Sequence, residues 1–510
     1  MPDPLSQPGA TGARDRDGTN TIASRRPTSG PATGWAACPK MPENVRFGRG
    51  PRGTASLGVL TCTLLVMTLP SQLTQAAPPP VPLPPATRPA IPATYAAMAD
   101  EVENHLHRHL LDLWFPRCID REHGGFHMAW GRDWSRMPSQ GKAVVVQARM
   151  TWIAARVAIK RPALREQYLP YVTHGVDFLD RAMWDQEHGG FYWLLDDSGK
   201  PTSDVKDNKH LYGISFGLYA AAAAFEATKD ERARALAVRA FEWVEKHAYD
   251  DKNGGYHEYF TRDGTVIAPP ELGATGDGTP IGGRVGYKSM NTHIHLLEAY
   301  TQLYEVWPDP RLKTRLEELL AIVRDRVAVE PGVLNLWFSP DWRATTDHDS
   351  FGHDIETAYL LHEAAHALGR EDDPKTLRME QLLVDHTLAL GVDPERGGVY
   401  NKGTAFDEPY DKAKDWWGQF ESLNALLMMH ERHGGKTDVY WRGFMLQWRN
   451  ITEQFTDPQY GGIYGGIDEH GQPTDANKGH NWKAAYHDGR SLIEVSDRLR
   501  RMAGGEKPAH

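Results

Sequence analysis

Asp120-Arg-Glu-His-Gly-Gly-Phe126 is repeated as Asp185-Gln-Glu-His-Gly-Gly-Phe191 and Asp250-Asp-Lys-Asn-Gly-Gly-Tyr256. It returns as Asp393-Pro-Glu-Arg-Gly-Gly-Val399 and Asp457-Pro-Gln-Tyr-Gly-Gly-Ile463. Neighbouring copies are about 65 residues apart, and the step from Gly255 to Gly398 is about twice that. A sixth, degenerate copy is therefore expected near Gly332-Val333. Self-similarity at a fixed period marks a repeat architecture. In each copy the Asp opens a turn, and the Gly pair supplies positive-φ positions that other residues avoid. A short extended piece such as Phe191–Leu194 follows.

Helical stretches lie between the turns. Tyr212–Ala227 and 233–247 form one pair, Thr292–Val306 and 311–326 another, and 354–368 with 374–390 a third. Gly213, Ser215, Gly217 and an Ala run make the first of these suited to close helix contact. The expected fold is all-α: an (α/α)6 toroid of six helical hairpins, with short β-hairpin and Gly-Gly loops at one rim. A linear solenoid would normally carry distinct capping repeats.

Ahead of the repeats the chain changes character. Residues 1–40 are rich in Gly, Pro, Ser, Thr and Arg and read as a disordered extension, with the true start expected at Met41. From there, 41–76 reads as a signal peptide: Arg46, Arg49 and Arg52, an apolar stretch over 57–69, and Thr74-Gln75-Ala76 as a cleavage site. An uncleaved anchor is the competing reading. Residues 77–92 form a Pro-rich linker, and 93–505 the folded domain. The expectation is an exported protein, periplasmic or secreted. After cleavage only Cys118 remains of three cysteines, which excludes an internal disulfide and a cysteine metal cluster. A net charge of −10 without a basic block argues against nucleic acid. The 23 His suggest proton transfer or metal binding, and the 16 Trp suit a sugar site as well as core packing.

Four stretches carry candidate chemistry. In Met290–Thr301 (MNTHIHLLEAYT), Asn291, His295 and Glu298 share one helix face, which must meet water, a partner or a pocket. In Phe351-Gly-His353-Asp-Ile-Glu356, His353 and Glu356 lie one turn apart at a helix start, where capping is the plain alternative. Asp415-Trp416-Trp417-Gly-Gln-Phe-Glu421 offers a sugar platform with polar anchors, although one Trp must serve packing. Asn481-Trp482-Lys-Ala-Ala-Tyr486-His487-Asp-Gly-Arg490 lies where ring closure would bring it beside the first repeat. Arg149 sits on an apolar helix and needs a polar partner if buried. His362-Glu-Ala-Ala-His366 matches the zinc-protease HExxH pattern, but the third metzincin ligand position is Asp372.

These four motifs, in this order across residues 95–500, resemble the N-acylglucosamine 2-epimerase superfamily, and the Trp482-Lys-x-x-Tyr-His487 ending resembles its cellobiose 2-epimerase branch. The resemblance implies an (α/α)6 barrel and reversible proton transfer at C2 of a reducing-end aldose, without metal or other cofactor. It makes His353 and His487 the acid/base pair and His295 a third histidine that assists ring opening. It assigns Asn291 and Glu356 to the polar surroundings. Trp417 (or Trp416) and Trp482 become sugar-stacking residues, Arg149 the group facing the open-chain carbonyl, and Tyr212 a pocket tyrosine. The partner is then a small sugar, a disaccharide of the cellobiose or mannobiose type or a monosaccharide, and the protein a monomer or homodimer. Proton delivery to C1 would give an aldose–ketose isomerase. A glycoside hydrolase on the same ring would need a carboxylate pair, for which Glu356 and Glu421 are the candidates. A zinc peptidase and a non-catalytic sugar-binding toroid complete the alternatives. The Gly/Pro-rich segment 268–284 reads as a rim loop that alters substrate choice.

Overall fold

The computed structural model describes residues 94–202, 208–268, 279–345 and 348–504. The leader, the linker and most of the 268–284 loop lie outside them. Among the described residues, twelve long helices alternate along the chain. They are α1 (Tyr95–Leu106), α2 (Val144–Lys160), α3 (Arg165–Phe178), α4 (Leu211–Thr228), α5 (Glu231–His247) and α6 (Met290–Val306). The second half holds α7 (Pro310–Ile322), α8 (Phe351–Ala367), α9 (Pro374–His386), α10 (Trp416–His433), α11 (Val439–Asn450) and α12 (His487–Gly504). No described helix is long and apolar enough to cross a membrane.

The even-numbered helices pack side by side in the order α2, α4, α6, α8, α10, α12, and α12 returns to α2. Each is backed by one odd-numbered helix, and α1 backs α12, so the first helix seals the last. This is the expected double ring. Composition explains which helix goes inside. In α4 only Phe225, Glu226 and Thr228 are not buried. In α5 a single stripe, Ala233, Leu236, Ala237, Ala240, Phe241, Trp243 and Val244, is buried, at the three-to-four spacing of a one-sided helix. Outer helices start on strong caps: Asp230, Asp309 and Asp373 each accept a backbone N–H of the first turn. Close approach on the inner ring requires small residues. A Cβ on Gly213 would meet Val144 at 2.7 Å.

The loops stitch neighbouring repeats together. Lys142–Ala143, just before α2, pairs with Leu194–Leu195 of the next repeat. Lys209–His210 pairs with Tyr259–Phe260, Lys288–Ser289 with Trp337–Phe338, and Lys414–Asp415 with Gly466–Ile467. Trp130 of the first loop exchanges backbone bonds with Lys478 and Gly479, which closes the circle.

Each Asp of the loop signature has a buried lysine partner; Lys142, Lys209, Lys288 and Lys414 lie two residues before an inner helix, whereas Lys478 lies further ahead of α12. The Nζ–carboxylate distances are 2.8 Å for Lys142–Asp120, 3.0 Å for Lys209–Asp185 and 2.7 Å for Lys288–Asp250. They are 2.8 Å for Lys414–Asp393 and 3.0 Å for Lys478–Asp457. The same Asp side chains accept two loop N–H groups, as Asp120 does from Glu122 and His123. The degenerate copy is indeed at Gly332. There Ala328–Val329 and Val333–Leu334 enclose only Glu330-Pro331-Gly332, so the loop has lost its Asp. The lysine position, two residues before α8, is Asp349.

Candidate functional site

The inner helices carry their polar residues at their first turns, and these gather at one end of the ring. His353 and Glu356 come from the first turns of α8, Trp417 and Glu421 from α10, and His487 and Arg490 from α12. The Trp417 ring stands 4.5 Å from His353 and 5.9 Å from His487, centroid to centroid. It is held there by Gly352, where a Cβ would meet the Trp417 ring at 2.6 Å. His295 packs 5.3 Å from Tyr212 and 4.9 Å from Phe216.

All three histidines are held through Nδ1. His487 Nδ1 is 2.7 Å from Glu421 Oε1, and His295 Nδ1 is 2.9 Å from Glu298 Oε2. His353 Nδ1 is 2.7 Å from Ser350 Oγ. Among the described residues none of the three bonds through Nε2, so the second ring nitrogen of each is available to a ligand. Burial, reinforced by the Arg149 and Arg490 guanidiniums, holds the His487 imidazole well below its ordinary pKa. Burial also lowers His353, with His295 and His348 adding to the effect.

Arg490 ties the carboxylates together. It is nearly inaccessible and bonds to Glu298, to Glu356 at 2.6 Å and to Glu421 at 2.7 Å. Tyr486 donates to Glu298 at 2.6 Å. Burial alone would raise Glu298, but Arg490 and His295 outweigh it and bring its carboxyl down to about 2. Glu421 goes the other way: burial and the Glu356 charge push it up against the pull of Arg490. Glu356, Glu421 and His487 are close enough together to ligate a metal ion, but the Arg490 guanidinium already supplies the cation there.

Arg149 is buried with its guanidinium between the rings of Phe216 and Tyr486, 4.5 and 5.1 Å away. It donates to the Trp482 carbonyl at 3.0 Å and to the Tyr212 hydroxyl at 3.2 Å, and its Nε has no partner. Trp482 is partly accessible and stands 6.1 Å from Trp193 and 6.3 Å from Tyr212. Asn291 leaves its side-chain oxygen unbonded. The two adjacent tryptophans divide their work: Trp417 keeps accessible surface, whereas Trp416 is buried beside His480 and Lys483.

His362 of the HExxH-like run accepts from Arg432 at 3.1 Å through Nδ1, so a guanidinium occupies the lone pair a zinc ion would need. Tyr486 and Arg490 lie in a candidate stretch of the sequence but were assigned no role there, and Phe216 was not singled out. The signal for Arg490 was its place one turn after His487 on the same helix.

Residues 124–488 match the N-acylglucosamine 2-epimerase (GlcNAc 2-epimerase) family. The chain is 31% identical to a cellobiose 2-epimerase of Bacteroides fragilis over 402 residues, 78% of this chain and 98% of that protein. The cellobiose 2-epimerase structure from Spirochaeta thermophila superposes with a TM-score of 0.71 at 30% identity, covering 80% of this chain and 98% of that one. A D-mannose isomerase structure shares the fold, with a TM-score of 0.68 at 22% identity over 81% of this chain and 99% of that one. An inner ring of histidines, a buried arginine and these relatives together place the chain in the N-acylglucosamine 2-epimerase family, as an enzyme of the sugar epimerase and isomerase kind.

Proposed function

We propose that the protein epimerises C2 of the reducing-end sugar of a β-1,4-linked disaccharide of the cellobiose or mannobiose type. The observation that carries this reading is the placement of His353 and His487 beside one partly accessible indole, Trp417, with ring centroids 4.5 and 5.9 Å from it. Two imidazoles that share one platform, each with Nε2 available, can address opposite faces of a single carbon. The likeness to cellobiose 2-epimerases supports the substrate class.

The reaction starts from the open-chain aldehyde, whose release from the cyclic form His295 assists. One neutral imidazole removes the C2 proton. The electron pair of the C–H bond moves into the C1–C2 bond, and the carbonyl π electrons move onto O1. Arg149 faces that oxygen and stabilises the enediolate. The partner imidazole, in its protonated form, returns a proton to the opposite face of C2. Delivery to C1 instead, with the O2 proton transferred to O1, yields the ketose, and the same intermediate serves both outcomes. Trp482 and Trp417 hold the sugar rings by stacking.

The test is incubation with cellobiose, mannobiose, lactose, glucose and mannose in D2O, followed by NMR. Deuterium enters C2 with the wild-type protein and does not with His353→Ala or His487→Ala. Retained exchange in both variants would reject the pair. The leader supports export, and fractionation of expressing cells with detection of a chain shortened after Ala76 checks it.

A further inference from the structure

The fourth repeat leaves a charge unanswered. In the other five, a buried Asp of the loop meets a buried lysine ammonium. In the fourth, Asp349 occupies the lysine position, and its carboxylate is buried with neither oxygen hydrogen-bonded. Asp354, fully buried on the first turn of α8, accepts the Leu334 N–H at 3.0 Å through Oδ1 and leaves Oδ2 without a partner. His386, at the end of α9, completes the group. Its Nε2 is 2.9 Å from the Ala405 carbonyl and must carry a hydrogen to bond there. Its Nδ1 then presents a lone pair, unpartnered and 3.8 Å from Asp349 Oδ2. Ligand atoms of the three residues lie within 4.8 Å of one another. Among the described residues, no lysine or arginine pairs with either carboxylate.

Two carboxylates and an imidazole lone pair converging in a buried space repel one another unless one acid holds a proton or a cation sits between them. One nitrogen and two or more oxygens suit a borderline divalent ion such as zinc. We infer that Asp349, Asp354 and His386 form a structural divalent-metal site, which in the fourth repeat takes the place of the lysine. The ion ties the segment before α8 to the end of α9 and to the shortened Glu330-Pro331-Gly332 turn. Asp354 adjoins His353 in sequence but reaches back to Leu334, so the ion stands behind the sugar site and takes no part in the chemistry proposed above. At Glu356, Glu421 and His487 an arginine fills the centre, whereas at Asp349, Asp354 and His386 no lysine or arginine among the described residues does.

The test is metal content and thermal stability of the full chain. The protein is stripped with a chelator, dialysed against buffer containing zinc and then against metal-free buffer, and measured by elemental analysis. One zinc per chain is expected, with a higher Tm than the stripped protein. His386→Gln and Asp349→Asn are expected to lose both the ion and the Tm gain, and His362→Gln, in the HExxH-like run, to keep both. Stripped protein that takes up no stoichiometric zinc, or variants that retain it, would overturn the site. A Tm that rises in Asp349→Asn without any metal effect would also overturn it, because the two acids then share a proton. None of these readouts depends on activity, so failure here leaves the epimerase reading standing.

Discussion

Glu421 Oε1 accepts from His487 Nδ1 at 2.7 Å and from Arg490 Nη2 at 2.7 Å. An oxygen that already accepts from a guanidinium requires the imidazole to be the donor. The hydrogen therefore sits on Nδ1, and the lone pair sits on Nε2, where a base can use it. Glu421→Gln should weaken this arrangement, because the amide can present its NH2 to the ring. The expected outcome is a fall in kcat of ~10-fold or more with KM changed little, on the pattern of other carboxylate-held histidines. Steady-state kinetics on the best substrate decide it, and an unchanged kcat would remove Glu421 as a positioning residue.

Arg149→Met keeps the length and packing between Phe216 and Tyr486 but removes the charge that faces O1 in the proposed reaction. The loss falls on the transition state, so kcat should drop by about 10²–10³, the usual cost of one oxyanion donor. Sugar binding measured by calorimetry should weaken far less than kcat.

Lys414 and Asp393 are both buried, 2.8 Å apart. Lys414→Met leaves Asp393 without its counter-charge, at an expected cost of about 3–5 kcal/mol in unfolding free energy. Adding Asp393→Asn removes the stranded charge while keeping an acceptor for the Glu395 and Arg396 N–H groups. The double variant should be more stable than the single one in denaturant titration.

His105 is buried with its Nε2 unbonded, and burial, aided by His109, brings its pKa down to about 3. The unfolded chain takes up this proton near pH 6.5 and the folded chain does not. Between those values acidification favours unfolding, by up to ~1.4 kcal/mol per pH unit for this group. His105→Gln should lose that share of the acid sensitivity. Its stability relative to wild type should improve as pH falls from 6.5 to 4, which thermal scans across that window read directly.

Much of the ring was legible in the chain. Asp-x-x-x-Gly-Gly needs specific turn chemistry at each copy, and local backbone sterics write that requirement into sequence at a fixed period. The loop at Gly332 was found by its spacing alone. The lysine partners were harder to see, since each lies between 21 and 38 residues from its Asp and the gap varies. The histidines of the candidate site could be singled out by motif, and Glu298 could be placed on the face of His295, but the pairing of His487 with Glu421, 66 residues away, could not be read. Arg490 pairs with carboxylates up to 192 residues away.

The sequence by itself determined the repeat, the helical hairpins and the chemical types at the first turns of the inner helices, because turn geometry and apolar periodicity act over a few residues. Only the tertiary structure decided which of those side chains meet. It placed Trp417 rather than Trp416 at the accessible surface, put Arg490 among three glutamates, and set Asp349 beside Asp354 and His386. Those choices depend on closing the ring, which brings first turns from separate helices to one end and fixes by packing what local preference leaves open.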